Sequence, residues 1–96
     1  MLDKEGRIAL GKEILSRQEE IHAKQEVLLF FDHYQNEILI EPKGKTCNNK
    51  LHFIRNAKID SNGRIFVPKV IRKAFPNATY IPAERNGKIY ILIIDH

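Results

Sequence analysis

The sequence predicts a mostly β domain with short helices, built from two hairpin–helix–hairpin repeats. Three observations carry this. The chain nearly repeats itself: Asp3, Gly6, Arg7, Ile8, Lys12 and Ile14 recur as Asp60, Gly63, Arg64, Ile65, Lys69 and Ile71. Short apolar runs with period-two alternation are punctuated by Gly-containing turn pairs. Finally, each half-unit is too small to bury a core alone, so the two must pack against each other.

The second repeat is the clearer copy. Residues 51–59 form a strand with Leu51 and Phe53 on one face, joined by Ala57 and Ile59. Asn62-Gly63 predicts a type I′ hairpin turn, which needs positive φ at both central residues. After it, Ile65 and Val67 point one way and Arg64 and Phe66 the other. Pro68 ends that strand and suits the start of a helix. Residues 69–75 make about two helical turns. Val70, Ile71, Ala74 and Phe75 form the apolar face of this helix; Lys69, Arg72 and Lys73 share the opposite one. Residues 79–83 and Lys88–Ile94 are strands around a second turn, Asn86-Gly87.

The first repeat follows the same plan less strictly. Glu5-Gly6 is its turn, with Ile8 and Leu10 matching Ile65 and Val67, and Gly11 standing where the copy has Pro68. A helix starts near Lys12 and runs to about Gln18 or further, lined inside by Ile14, Leu15, Gln18 and Ile21. Glu26–Asp32 and residues 37–41 are strands around residues 33–36. The repeats thus divide the chain into an acidic, degenerate unit (1–42), a polar basic connector (43–50) and a basic unit (51–96) within one domain.

Charge separates the units further. Residues 1–42 hold five Lys/Arg against nine Asp/Glu, a net −4, while residues 43–96 hold eleven against three, a net +8. Such asymmetry suits one part facing a polyanion. The longest apolar runs, 27–31 and 89–94, are far too short for a membrane span and read as core or interface. The first residues lack the apolar stretch of a signal peptide, and the one cysteine, Cys47, suits a reducing compartment, so a cytoplasmic location is expected. His22, His33, His52 and His96 are scattered without metal-ligand spacing. No nucleophile–base set, phosphate-cradling loop or carboxylate pair stands out, so neither an enzyme nor a metal or other cofactor is expected.

The stretch from Ile59 to Ala74, Ile-Asp-Ser-Asn-Gly-Arg-Ile-Phe-Val-Pro-Lys-Val-Ile-Arg-Lys-Ala, resembles the signature of the AbrB/MazE/SpoVT superfamily. There an Asp-x-x-Gly-Arg turn leads into a strand ending in Ile/Val-Pro and a short basic helix. The resemblance covers residues 51–94 well and 2–41 weakly, and two units in one chain look most like the MraZ branch. It implies a swapped-hairpin, AbrB-like β-barrel and the role of a bacterial, nucleoid-associated transcription regulator. It implies double-stranded DNA as partner, with a homo-oligomer, dimer or higher, doubling the surface. Carried over by position, Arg64 reaches DNA from beside the turn, Arg72 and Lys73 are the basic pair on the helix, and Lys58 lies on the entering strand. Arg7 is the copy of Arg64, and Lys69 joins the basic cluster. Asp60, Asn62, Gly63 and Gly6 structure the turns.

Each assignment has a plainer alternative. Arg64 can instead pair with Asp60 and hold the loop, while Asp60 caps turn N–H groups either way. Charges on a short helix are commonly just solvated. Glu19, Glu20 and Glu26 would repel DNA, and Lys43, Lys45 and Lys50 read as loop charges. In the first repeat Leu15 and Ser16 stand in place of Arg72 and Lys73, and no counterpart of the 51–59 strand precedes Leu2. A different class of function, an antitoxin-like protein–protein module binding a toxin, uses the same barrel as a scaffold.

Overall fold

The computed structural model describes residues 2–44 and 49–96. The elements in order are β1 (Arg7–Ala9), α1 (Lys12–Ser16), β2 (Glu26–Asp32), β3 (Glu37–Pro42), β4 (His52–Lys58), β5 (Arg64–Phe66), α2 (Lys69–Ala74), β6 (Thr79–Arg85) and β7 (Lys88–Ile94). The architecture is mostly β with two short helices. Lys45 and Cys47 of the connector lie outside the described residues.

Two antiparallel sheets form. A two-stranded ribbon pairs β1 with β5, and a five-stranded sheet runs β4-β2-β3-β7-β6. The leading hairpin expected in the second repeat is therefore split. Between β4 and β5 the turn is closed by the Asp60 N–H donating to Arg64 O at 2.9 Å. The arms then part: β4 joins β2 of the other repeat and β5 joins β1. The repeats interlock by exchange of strands, but the hydrogen-bonded ladders do not close into a barrel, since β4 and β6 end the larger sheet.

A pseudo-two-fold axis relates the halves. In the ribbon Ile8 faces Ile65, its own counterpart, and Arg7↔Phe66 mirrors Ala9↔Arg64. At the centre of the large sheet Leu39 faces Tyr90, while Ile38↔Ile91 mirrors Ile40↔Ile89. The backbone keeps the symmetry: Leu10 N–H donates to Gly63 O at 2.9 Å and Val67 N–H to Gly6 O at 3.0 Å. It fails at the sheet edge, because among the described residues nothing pairs with β6 as β4 pairs with β2.

The core lies between ribbon and sheet. Ile8, Leu10, Ile65 and Val67 from the ribbon side meet Val27, Leu29, Ile38, Ile40, Ile89 and Ile91 from the sheet. Each such side chain, fully withdrawn from water, contributes about 1.5–3 kcal/mol. Because Ile8 and Ile65 oppose each other, truncating either opens a cavity on the axis, at a cost of about 2–5 kcal/mol.

Three local expectations are corrected. Only Gly63 (φ 74°) has positive φ in the Asn62-Gly63 turn, as only Gly6 (φ 84°) does in its copy. Each is a type I turn followed by a glycine bulge, because the preceding aspartate gathers N–H groups that hold the turn residues right-handed. Asn86 and Gly87, with φ of 53° and 77° and no such aspartate, do form the type I′ turn. Secondly, α1 stops at Ser16, and Ile21 packs from the following loop. Thirdly, the apolar face of α2 is narrower than its pattern suggests: Ile71 is buried and Phe75 packs on the core, whereas Val70 is 62% exposed and Ala74 faces solvent. A helix this short crosses the core edge with one turn only. No helix among the described residues is long and apolar enough to cross a membrane.

Candidate nucleic-acid interface

With Ile8 and Ile65 turned inward, alternation sends Arg7, Ala9, Arg64 and Phe66 to the outward face of the ribbon. The two arginines are fixed there by a reciprocal cage. Asp60 Oδ1 accepts the backbone N–H groups of Asn62 and Arg64, each at 2.9 Å. Asp60 Oδ2 accepts Nε of Arg64 at 3.2 Å and Nη1 of Arg7 at 3.3 Å. Asp3 repeats this, binding the N–H groups of Glu5 and Arg7 at 2.9 Å, Arg7 Nε at 3.0 Å and Arg64 Nη1 at 3.5 Å. Both carboxylates are held below their ordinary pKa, foremost by the backbone N–H of the arginine four residues on, with burial opposing.

The structural alternative for Arg64 is thus realised: it pairs with Asp60 and also with Asp3. It is not sealed off, since its side chain keeps 32% exposure against 19% for Arg7. The repeats differ at one further atom. Arg7 Nη2 binds Glu5 at 3.2 Å. The counterpart of Glu5 is the neutral Asn62, and Arg64 Nη2 makes no ion pair among the described residues. The Arg7 guanidinium also lies 5.6 Å from the centre of the Phe66 ring.

Arg72 is placed on the first repeat's turn. Its Nε donates to Val67 O at 3.1 Å, and its guanidinium covers Gly6 so closely that a Cβ there would come within 2.7 Å. By symmetry Leu15 covers Gly63, its Cδ1 at 2.9 Å from such a Cβ. Arg72 therefore braces the turn next to Arg7. Lys69 and Lys73 on α2 are exposed and form no ion pair among the described residues. Lys12, the counterpart of Lys69, is likewise exposed at the start of α1, so one lysine flanks the ribbon at each end. Lys12 was legible as part of the repeat; only the acidity of its surroundings hid it.

Lys58 is not brought to this surface. It pairs in register with Glu26, whose carboxylate is lowered mainly by its hydrogen bond with Lys43, and alternation from buried Ile59 turns it to the far side of the large sheet. The predicted residues therefore divide: Arg7, Arg64 and Lys69 line the outward ribbon and its flank, Lys73 follows one turn along α2, Arg72 supports the turn from behind, and Lys58 stands apart. Asp60, Gly63 and Gly6 structure the turns directly, and Asn62 contributes its N–H. Among the described residues no group of His, Cys, Asp or Glu is arranged to hold a metal ion.

No protein-family model, curated protein or solved structure matches this chain.

Proposed function

We propose that this chain is a DNA-binding transcription regulator, an AbrB-like swapped-hairpin unit condensed into one polypeptide, which meets duplex DNA with the outward face of its ribbon. The observation that carries this reading is Arg64. Its guanidinium is held on the ribbon by two carboxylates, yet its side chain keeps 32% exposure and Nη2 binds no carboxylate among the described residues. A donor fixed in this way loses little freedom on binding, which suits approach to a guanine edge or a phosphate. Lys12, Lys69 and Lys73, exposed on the helices that follow the ribbon strands and without ion pairs among the described residues, supply charge for phosphate neutralisation. On this reading the protein works in the bacterial cytoplasm, on the nucleoid.

The experiment is fluorescence anisotropy with a random-sequence duplex at several salt concentrations. Affinity falls with a log–log slope of about −0.9 per phosphate neutralised. Lys69→Ala with Lys73→Ala reduces that slope by about two contacts, while Arg64→Lys keeps the charge and weakens binding. Salt-independent binding, or none at low salt, rejects the reading.

A further inference from the structure

The large sheet has a second face that the core does not use. Phe30 and Leu39 are buried yet stand outside the core cluster. Register and alternation place them on the side turned away from the ribbon, with Tyr90 opposite Leu39 and Phe53 opposite Phe30. Phe30 and Phe53 meet edge-to-face at 5.5 Å. Around them the same face exposes Phe53 at 48%, Ile81 at 42% and Ile94 at 42%. Three large apolar side chains half open to water on one sheet face mark a docking surface rather than scattered exposure.

We infer that this face is covered by the same face of a second copy, giving a homodimer of stacked sheets. Three properties select that occupant. The first is charge. Glu37 pairs with Arg85, whose guanidinium also lies 4.2 Å from the Tyr90 ring centre, and Glu41 pairs with Lys88 at 2.8 Å. Glu26 at the end of the face pairs with Lys43 at 2.6 Å, and the remaining Asp32 and Lys58 carry opposite charges, so the face is balanced in charge and neither attracts a polyanion nor asks for a charged partner. The second is symmetry. The pseudo-two-fold axis passes through Leu39 and Tyr90, so β2–β3 and β7–β6 repeat one outline about the middle of the face with β4 added at one edge, and a contact between copies meets the same patch on both sides. The third is area. Five strands about 4.8 Å apart and about seven residues long at about 3.3 Å each span about 550 Å². Two copies thus bury about 1,100 Å² between them, above the roughly 1,000 Å² that a specific interface needs. Stacked sheets of this kind sit about 10 Å apart with strands crossing at about −30°.

This inference does not rest on the DNA reading. Its test is sedimentation equilibrium of the full chain from about 5 to 200 µM, with circular dichroism as the control for folding. The wild type runs as a dimer at the upper concentrations. Ile81→Glu shifts it to monomer by at least about tenfold in dissociation constant, and Phe53→Glu, at the other edge of the face, does the same should the first variant fold poorly. Val70→Glu changes a still more exposed apolar residue on α2 and leaves the dimer intact. A wild type that stays monomeric at 200 µM, a dimer indifferent to both sheet-face changes, or one lost equally in Val70→Glu overturns the inference.

Discussion

Asp60 Oδ2 accepts a hydrogen bond from Arg7 Nη1 at 3.3 Å, across the ribbon from the other repeat. With its mirror image, Asp3 to Arg64, it ties the two turns into one unit. The carboxylates are the hubs: each organises its own turn through backbone N–H groups and receives guanidinium donors from both repeats.

This arrangement gives stability an acid dependence of known sign. Both pKa values are lowered in the folded chain, chiefly by the backbone N–H of Arg7 on Asp3 and of Arg64 on Asp60. The stabilisation is therefore fully present above the unfolded-state value of about 4 and is lost as pH falls through the lower folded-state values. Asp3→Asn with Asp60→Asn lowers the thermal midpoint at pH 7, and the gap from the wild type closes as pH drops toward 2. Thermal melts across that range check it; a gap independent of pH excludes the ionised cage as its source.

The turn glycines make a graded series. Gly6, Gly63 and Gly87 all have positive φ, but their surroundings differ. Alanine at Gly87 meets open space and costs only the backbone strain, about 1 kcal/mol. Alanine at Gly63 also displaces the end of the Leu15 side chain, and alanine at Gly6 drives off the Arg72 guanidinium. The expected order of loss is Gly6→Ala, then Gly63→Ala, then Gly87→Ala, the smallest lowering the thermal midpoint by about 4–8 °C. Equal losses at the three sites would show that only φ matters.

Much of this was legible because Asp-x-x-Gly-Arg is a local device: the aspartate, the glycine and the arginine act within five residues. The crossing of Arg7 to Asp60 was not, since it depends on which strands are exchanged. Asn-Gly alone could not separate the two turn types. Asp60 decides one of them by capturing two N–H groups, and its absence before Asn86 releases the other. The second face of the sheet was hidden for a different reason. In Val-Leu-Leu-Phe-Phe of β2 both faces are apolar, so periodicity cannot say that Val27 and Leu29 enter the core while Phe30 leaves it.

The open edge of β6 has a guard. Arg85 and Lys88 flank the two-residue turn as a paired rung, so Tyr80, Pro82 and Glu84 direct their backbone groups outward. Pro82 therefore withholds an N–H at the middle of the edge, a common protection against strand addition. Pro82→Val restores that donor and raises aggregation on warming, measured as light scattering near the thermal midpoint. Unchanged scattering would show that the edge is closed by something other than the missing donor.

Glu5 distinguishes the two arginines for DNA. It claims Arg7 Nη2, where the second repeat has Asn62, and on the proposed reading it sets a carboxylate beside the path a DNA phosphate would take. Glu5→Asn makes the first turn like the second. It removes a repulsive charge and frees a donor, so affinity for duplex DNA at about 50 mM salt rises by about three- to tenfold and the salt slope steepens. Anisotropy titrations measure both. An unaltered slope would place Arg7 outside the contact.

If ribbons bind DNA and sheets stack, the two properties together dictate geometry. The ribbon lies on one side of the large sheet and the docking face on the other. Ribbon, sheet, sheet and ribbon at about 10 Å per layer set the two Arg64 surfaces about 30 Å apart and facing away from each other. One dimer then cannot lay both on a single straight duplex; it holds two duplex segments. A bead-bound duplex should capture a second, fluorescent duplex in the presence of the wild type. Ile81→Glu should bind the first duplex with unchanged single-site affinity yet bring capture down to background. Capture that survives in the monomeric variant would mean that one chain carries two DNA surfaces. Loss of binding to the first duplex would instead place Ile81 in the DNA contact itself.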